Sequence, residues 1–257
     1  MAGSSPVGPM LPGFGGDPVR RPGGPPPTRE NGPVTPLVLL DLDGTLVDSA
    51  PGIVASVAHA YRTLGLEVPD ARTLRSFVGP PITDSFAAHG VPADRTDEAV
   101  AAHRAAYTTG GMDDVTVFAG VLDALAALRS AGCRLVVATS KPTVFARPIC
   151  EHLGLSRYLD AVVGAPLDEH TSTKALVIAD ALAWAARADA PTAGVVMVGD
   201  REHDVHGAAA HGIECLGVAW GYAAPGELAA AGALDVVADA ADLAPRVLEA
   251  LAMAPCG

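Results

Sequence analysis

Two acidic residues end a short apolar segment near position 40 of the chain. The stretch VLLDLDGTLVDS places Asp41 and Asp43 directly after three apolar residues. Side chains of a strand alternate between its faces, so residues two apart point the same way and these two carboxylates are expected to converge. Carboxylates at short range repel each other unless a cation or a proton compensates their charge. The spacing therefore predicts that a cation or a proton compensates the charge of this pair.

Three further segments carry polar residues where an apolar run ends or soon after. These are VVATSKP with Thr139 and Ser140, LDEHTSTK with Lys174, and VMVGDREHD with Asp200 and Asp204. Taken singly, such residues are usually turn residues, helix caps or solvated surface. All of them follow predicted strands of one sheet, and ligands bind at the carboxyl ends of such strands. Together they favour a functional site over separate structural roles.

Lysine usage adds a second signal. The chain has 17 basic residues, and only Lys141 and Lys174 are lysines. A compact ammonium group differs from a planar guanidinium in size, reach and hydration. This bias indicates a lysine-specific role for Lys174. Lys141 precedes a proline and has the weaker case, and we expect it at the rim of the site.

The apolar runs of the chain set the fold class. Continuous apolar runs without alternation predict strands that are buried on both faces of a parallel sheet. They lie at residues 36–41, 134–139, 161–164, 194–200, 213–220 and 235–239. Helical patterns follow at residues 121–128, before Gly132, at about 172–188, and from Pro245 onwards. This alternation predicts an α/β fold with a Rossmann-like, doubly wound parallel sheet.

One connection is much longer than the others. Residues 42–133 separate the first two strands, whereas a parallel crossover needs only about a dozen residues. We therefore predict a helical cap at residues 51–118, inserted into an α/β core formed by residues 36–50 and 119–257. Residues 1–35 include 17 Gly or Pro, which predicts a disordered tail.

Composition narrows the classes of partner. A net charge of −12 argues against a nucleic-acid partner, because such proteins normally present a basic face. We found no signal-peptide pattern and no apolar run long enough to span a membrane, which predicts a cytoplasmic protein without a membrane partner. The four cysteines form no C-x-x-C pair, as expected in a reducing compartment. The sequence does not indicate an oligomeric state.

These segments resemble the four motifs of the haloacid dehalogenase superfamily, in the phosphatase branch with a small helical cap. The motifs are DLDGTLVDS, VVATSKP, the lysine at 174 and VMVGDREHD. The resemblance runs from about residue 36 to the end of the chain. The segment VGPPITDSF in the predicted cap is similar to the cap loop of phosphoglycolate phosphatase-like members.

The resemblance implies roles for the residues at the reacting centre. Asp41 would be the nucleophile that takes the phosphoryl group. Asp43 would be the general acid for the leaving alkoxide and then the base for the attacking water. Thr139, Ser140 and Lys174 would bind the transferred phosphate. A phosphoryl group in transfer carries dispersed negative charge, so residues that position it and supply positive charge suit this reaction.

The resemblance also implies a metal cofactor and a source of specificity. Mg²⁺ would be held by Asp41, the backbone carbonyl of Asp43, and Asp200, with Asp204 supporting the site directly or through water. Mg²⁺ prefers oxygen ligands and keeps several waters, so a few carboxylates and a carbonyl suffice. Candidate specificity residues in the cap are Arg75, Ile82 and Thr83.

The function implied is a Mg²⁺-dependent phosphatase that hydrolyses small phosphomonoesters through an aspartyl phosphate, similar to phosphoglycolate phosphatases. A 5'-nucleotidase and a sugar-phosphate phosphatase on the same scaffold remain alternatives. Asp43 argues against a dehalogenase, and a cap without lysine argues against Schiff-base chemistry. The loop VGPPITD offers no Arg or Lys for a second phosphate, which disfavours a phosphomutase. An inactive regulatory member would be expected to lack Asp41 or Asp43.

Overall fold

A computed structural model describes residues 35–167, 172–187 and 192–253 of the chain. In chain order, its strands are β1 (Thr35–Leu40), β2 (Val47–Asp48), β3 (Thr116–Val117), β4 (Arg134–Pro142), β5 (Ala161–Ala165), β6 (Thr192–Gly199), β7 (Glu214–Val218) and β8 (Asp235–Val237). Its α-helices are α1 (Ala50–Thr63), α2 (Ala71–Arg75), α3 (Ile82–Ala88), α4 (Thr96–Ala106), α5 (Val121–Ser130), α6 (Thr143–His152), α7 (Lys174–Arg187), α8 (Glu202–Ala209), α9 (Glu227–Ala231) and α10 (Leu243–Met253).

Within these described ranges, six strands form a parallel sheet in the order β5-β4-β1-β6-β7-β8. The chain starts at β1, adds β4 and β5 on one side, and then returns to add β6, β7 and β8 on the other. The strand order thus reverses at β1, and such a reversal opens a ligand-binding crevice at the carboxyl ends of the strands. The predicted α/β doubly wound sheet is confirmed.

The core explains why β1 reads as an unbroken apolar run. Val38 and Leu40 contribute to a hydrophobic cluster with α5, α6 and α10 on one face of the sheet. Leu37 and Leu39 contribute to a second cluster with α7, α8 and α9 on the opposite face. Because successive side chains point to opposite faces, a strand covered on both sides must be apolar at every position.

The segment between β2 and β3, residues 49–115, has a hydrophobic cluster of its own, which includes Val57, Tyr61, Phe77 and Phe86. We call this segment the cap. Strands β2 and β3 pair antiparallel where the chain leaves the sheet and returns to it, a feature that the sequence did not predict. The boundaries proposed for the cap and the core stay a prediction.

Several predicted boundaries shift in the structure. The last helix begins at Leu243 rather than Pro245, because a proline in the first helical turn lacks only an N–H that has no partner there. Strand β4 continues three residues beyond Thr139. The predicted disordered tail lies outside the described residues except for Thr35, which begins β1.

Membrane-spanning helices and free cysteines bear on the location of a protein. No α-helix in the described parts of the chain is both long and apolar enough to cross a membrane. Cys133, Cys150 and Cys215 are buried and free. They pack as small hydrophobic side chains. The cytoplasmic location stays a prediction.

Candidate active site

Asp41 lies where β1 ends, at the point where the strand order reverses. Its backbone N–H donates to the carbonyl oxygen of Val198 in β6 at 2.9 Å, which continues the ladder by one residue. Its side chain meets the ammonium group of Lys174, with 2.8 Å between Nζ and Oδ1. The same Nζ lies 2.7 Å from Oδ1 of Asp204 and donates to the carbonyl oxygen of Ala138 at 3.1 Å. The ammonium group of Lys174 therefore contacts β4, α8 and the end of β1 at the same time.

Three buried carboxylates surround this point. Oxygens of Asp41, Asp200 and Asp204 lie within 4.8 Å of one another. Asp200 is oriented from outside the cluster, since its Oδ2 accepts a hydrogen bond from the backbone N–H of Tyr222 at 2.7 Å. The structure thus brings together the predicted nucleophile, two predicted metal ligands and Lys174.

The charges of this cluster do not balance in the protein alone. Burial raises the pKa of Asp41 to about 6; Lys174 lowers it and Asp204 adds to the rise. Burial and the neighbouring charges of Asp204 and Asp41 also hold the pKa of Asp200 well above its ordinary value. A divalent cation with oxygen ligands would relieve this excess negative charge. The donor set therefore fits Mg²⁺, and the identity of the ion stays a prediction.

Two glycines allow the backbone to approach the carboxylates. Gly44 has φ +83°, and a Cβ there would lie 2.2 Å from Oδ2 of Asp200. A Cβ at Gly199 would lie 2.2 Å from Cγ of Asp204. A side chain at either position would displace a proposed metal ligand. The positive φ of Gly44 is also a backbone conformation that glycine adopts at no steric cost.

The side chain of Asp43 makes a separate ion pair. Its Oδ2 lies 2.9 Å from Nζ of Lys141, whose side chain is 7% exposed. The expectation that Lys141 sits at the rim of the site is wrong, because the lysine points inward at a proposed catalytic carboxylate. Both lysines of the chain thus pair with a carboxylate of the first motif.

Two of the predicted phosphate-binding residues, Thr139 and Ser140, lie at the same ends of the strands as these carboxylates. Thr139 is buried, and its hydroxyl oxygen accepts a hydrogen bond from the backbone N–H of Lys141 at 3.2 Å. Ser140 is half-buried and lines two cavities, one beside Pro80 and one beside Pro81 and Lys174. Both residues lie at the carboxyl end of β4, as predicted, and their phosphate contacts stay a prediction.

The predicted cap residues occupy different places. Ile82 lines a cavity between cap and core together with Asp43, Phe77, Tyr107 and Phe145. Thr83 follows it, half-buried in the first turn of α3. Arg75 is exposed, and its guanidinium carbon lies 5.3 Å from the ring centroid of Tyr222. Of these candidates, Ile82 has the most direct contact with the cavity above Asp43.

Sequence reasoning missed Tyr222. Its hydroxyl donates to Asp48 at 2.7 Å and accepts from the backbone N–H of Ser49 at 3.0 Å, in the first link to the cap. Its own N–H orients Asp200, so one residue connects this link to the proposed metal site. Tyr222 follows the carboxyl end of β7, so the rule applied to the other strand ends would have found it.

Arginine contacts also join cap and core. Nη1 of Arg201 donates to the carbonyl oxygen of Val78 at 3.1 Å, while its Nε pairs with Glu227 at 2.7 Å. Nη2 of Arg104 in α4 donates to the carbonyl oxygen of Leu167 at 2.8 Å. These contacts hold the cap over the strand ends in this structure.

This fold and this edge of carboxylates and lysines define a hydrolase of the haloacid dehalogenase type. Residues 38–218 match the family of haloacid dehalogenase-like hydrolases, and the chain belongs to that family. The predicted family and the predicted hydrolase class are thereby confirmed.

Curated relatives carry several names. Tyrosine-protein kinase PtkA of Mycobacterium tuberculosis is 44% identical over 186 residues, which are 72% of this chain and 62% of that protein. The chain thus matches less than two thirds of the length of PtkA. A 5'-nucleotidase of Pseudomonas aeruginosa is 39% identical over 215 residues, or 83% of this chain and 96% of that protein. A phosphoglycolate phosphatase of Cupriavidus necator is 36% identical over 224 residues, or 85% and 95%.

Solved structures agree with the fold. A protein from Clostridium acetobutylicum that is described as a predicted phosphatase superimposes with a TM-score of 0.77 at 38% identity. The match covers 84% of this chain and 100% of that one.

Proposed function

We propose that this protein is a divalent-metal-dependent phosphatase that hydrolyses small phosphomonoesters through an aspartyl phosphate. The observation that carries the proposal is the position of Asp41. Its carboxylate lies 2.8 Å from the ammonium group of Lys174 and next to two carboxylates that suit a metal. A carboxylate can attack an anionic phosphate only where positive charge offsets the repulsion, and Lys174 together with a metal ion at these carboxylates would supply that charge.

In this proposal Asp41 is the nucleophile, and Asp43 is the general acid and then the general base. An oxygen of Asp41 attacks phosphorus, and the bond from phosphorus to the ester oxygen breaks. Asp43 gives its proton to the departing alkoxide and later takes a proton from the water that attacks the acyl phosphate. Lys174, Thr139 and Ser140 hold the oxygens of the phosphate while the charge moves.

The residues that would hold Mg²⁺ are Asp41, Asp200, Asp204 and the backbone carbonyl of Asp43. When bound, Mg²⁺ supplies positive charge beside the transferring phosphoryl group. Burial and the mutual repulsion of the carboxylates raise the pKa values of Asp41 and Asp200, and a divalent cation would relieve that repulsion, which supports this assignment. Excess EDTA should therefore abolish turnover, and Ca²⁺ should inhibit because its looser coordination spoils the in-line geometry.

The cavity above Asp43 indicates where the leaving group would sit. Ile82, Phe77 and Tyr107 of the cap face residues of the core across it. A cap closed over the strand ends favours small organic phosphates over phosphoproteins. The names of the relatives make phosphoglycolate and nucleoside monophosphates the first substrates to compare, with sugar phosphates next.

A second candidate rests on the 44% identity to a protein named tyrosine-protein kinase. In that case the phosphoryl group on Asp41 would come from a nucleoside triphosphate and pass to a phenol instead of water. Incubation with ATP labelled in the γ-phosphate and a tyrosine-containing peptide separates the two activities. Labelled peptide indicates transfer, and labelled inorganic phosphate alone indicates hydrolysis.

The proposal is tested by assaying p-nitrophenyl phosphate and a panel of metabolite phosphates with Mg²⁺. Asp41→Asn should reduce turnover at least about 10³-fold, as expected when a member of a catalytic unit is lost. Asp113→Asn, at an exposed position in the cap segment, is the matched control and should retain activity. Near-wild-type turnover by folded Asp41→Asn would refute the nucleophile.

A further inference from the structure

Lys141 has no role in the reaction described above, yet it is built into the site. Its Nζ lies 2.9 Å from Oδ2 and 3.2 Å from Oδ1 of Asp43, so one ammonium engages both carboxylate oxygens. The side chains are 7% and 8% exposed. Removal of either partner would leave a buried charge without compensation. A side chain held this way fixes the torsion angle of the carboxylate that it contacts.

The backbone is shaped to direct Lys141 to this place. Thr139 of β4 pairs with Gly164 of β5, but the next pair joins Pro142 to Ala165. Two residues of β4, Ser140 and Lys141, therefore bulge out of the ladder, and bulges redirect side chains beside active sites. A Cβ at Gly164 would lie 2.3 Å from the carbonyl oxygen of Lys141, so the bulge requires glycine opposite it.

The cap supplies the second partner of Lys141. Its Nζ lies 4.8 Å from the ring centroid of Tyr107, within the range of a cation–π contact. Tyr107 begins a π-helical turn, residues 107–111, directly after α4. Its ring stacks on His103 at 5.7 Å and meets Phe145 of α6 edge-on at 5.8 Å. The ammonium group thus sits between a core carboxylate and a cap ring.

We propose that Lys141 is a positioning residue for Asp43: its ammonium group keeps the shorter hydrogen bond to Oδ2 while Oδ1 carries the proton that passes to the leaving group, and the docked ring of Tyr107 holds Lys141 in place. This inference rests on the proposed function of Asp43. When the cap lifts, Lys141 loses one partner and Asp43 loses its fixed orientation. Proton transfer to the leaving group would then be efficient only in the closed site.

The test compares an alkyl ester, glycerol 2-phosphate, with an aryl ester, p-nitrophenyl phosphate. The parameter kcat/KM covers the steps up to the release of the alcohol, and only the alkyl leaving group depends strongly on an acid. Lys141→Met should lower kcat/KM about 10²-fold or more for the alkyl ester and less than about tenfold for the aryl ester. Inhibition by inorganic phosphate should stay within about threefold of wild type. Lys141→Arg should recover part of the alkyl activity.

The variants of Tyr107 test the coupling and leave the ion pair intact. Tyr107→Leu removes both the ring and the hydroxyl and should reproduce the ester-selective loss at about tenfold, while Tyr107→Phe keeps the ring and should lose clearly less. Arg129→Met is the matched control, since it removes a cation that lies 2.5 Å from Asp160. This pair lies near the amino end of β4, at the opposite end of the strand from Lys141. It should change neither ester.

Equal losses on both esters, or a large change in phosphate inhibition, would overturn the positioning role of Lys141. If Lys141→Met does not fold, the two Tyr107 variants decide. Equal activity of these two variants on the alkyl ester would overturn the proposal. Asp41→Asn is assayed alongside. Activity of Asp41→Asn would refute the proposed function itself. If Asp41→Asn is inactive and Lys141→Met affects both esters equally, only this inference is refuted.

Discussion

Replacing Asp41 by asparagine is expected to stabilise the metal-free protein, although it removes the proposed nucleophile. The pKa of Asp41 is raised from 3.8 to about 6, chiefly by burial. The folded protein therefore binds this proton more tightly than the unfolded chain does. The stability from this group is present below pH 4 and is lost as the pH rises through 6. Asparagine resembles the protonated acid at every pH, so the variant should avoid that loss.

The size of the gain follows from the shift. Two pKa units correspond to about 3 kcal/mol in the free energy of unfolding when the carboxylate is fully ionised in both states. We expect about 3 kcal/mol at pH 8, about half of that at pH 5 and about 0.6 kcal/mol at pH 4. Sites that bind charged ligands often carry such a penalty in exchange for function.

Urea unfolding in EDTA at these three pH values measures the gain. Asp113→Asn, an exposed acid, should stay within about 0.5 kcal/mol of wild type throughout. Added Mg²⁺ should raise the stability of wild type more than that of Asp41→Asn, because the variant has lost a ligand. A variant that is less stable than wild type at pH 8, or a gain that does not change with pH, would refute this electrostatic account of Asp41.

Three shorter predictions concern other parts of the site. Gly207→Ala places a Cβ 2.7 Å from Cγ of Lys174 and should reduce kcat/KM about 10–100-fold, and unchanged kinetics would contradict this packing. Burial and two neighbouring cations lower the pKa of His103 to about 3, so stability should fall by about 1.4 kcal/mol per pH unit below pH 6.5. Urea unfolding of His103→Phe should lack that contribution, and an unchanged pH slope would contradict it. Ile82→Ala should change the ranking of substrates in a phosphate panel and leave the Mg²⁺ dependence intact, whereas an unchanged ranking would exclude Ile82 as a specificity residue.

Much of the candidate active site could be predicted from the sequence, because it depends on the topology of the sheet. Buried parallel strands read as apolar runs, and their carboxyl ends share one edge whatever the order of the strands. Asp41, Lys174, Asp200 and Asp204 follow such runs or open the next helix, so their convergence required no knowledge of strand pairing.

The direction of Lys141 was not accessible in the same way. It depends on the bulge in β4, and that bulge exists because Gly164 lies opposite it in a strand more than 20 residues away along the chain. Strands β2 and β3 span two residues each, too few for any periodic signal. Tyr107 begins a π-helical turn, which a pattern of 3.6 residues does not distinguish from the end of α4.

The contact between Lys174 and Asp41 has a further chemical consequence. In the proposed reaction Asp41 becomes an acyl phosphate, which is an activated acyl group, and an amine lies 2.8 Å from its oxygen. A neutral amine there could attack the carbonyl carbon, expel phosphate and close an isopeptide bond that would permanently inactivate the enzyme. Burial lowers the pKa of Lys174, but Asp204 and Asp41 outweigh it and raise the pKa. Once Asp41 is phosphorylated it no longer carries this charge, and Asp204 then keeps the third proton on the nitrogen, which has no lone pair to donate. Asp204 thus protects the enzyme from crosslinking to itself.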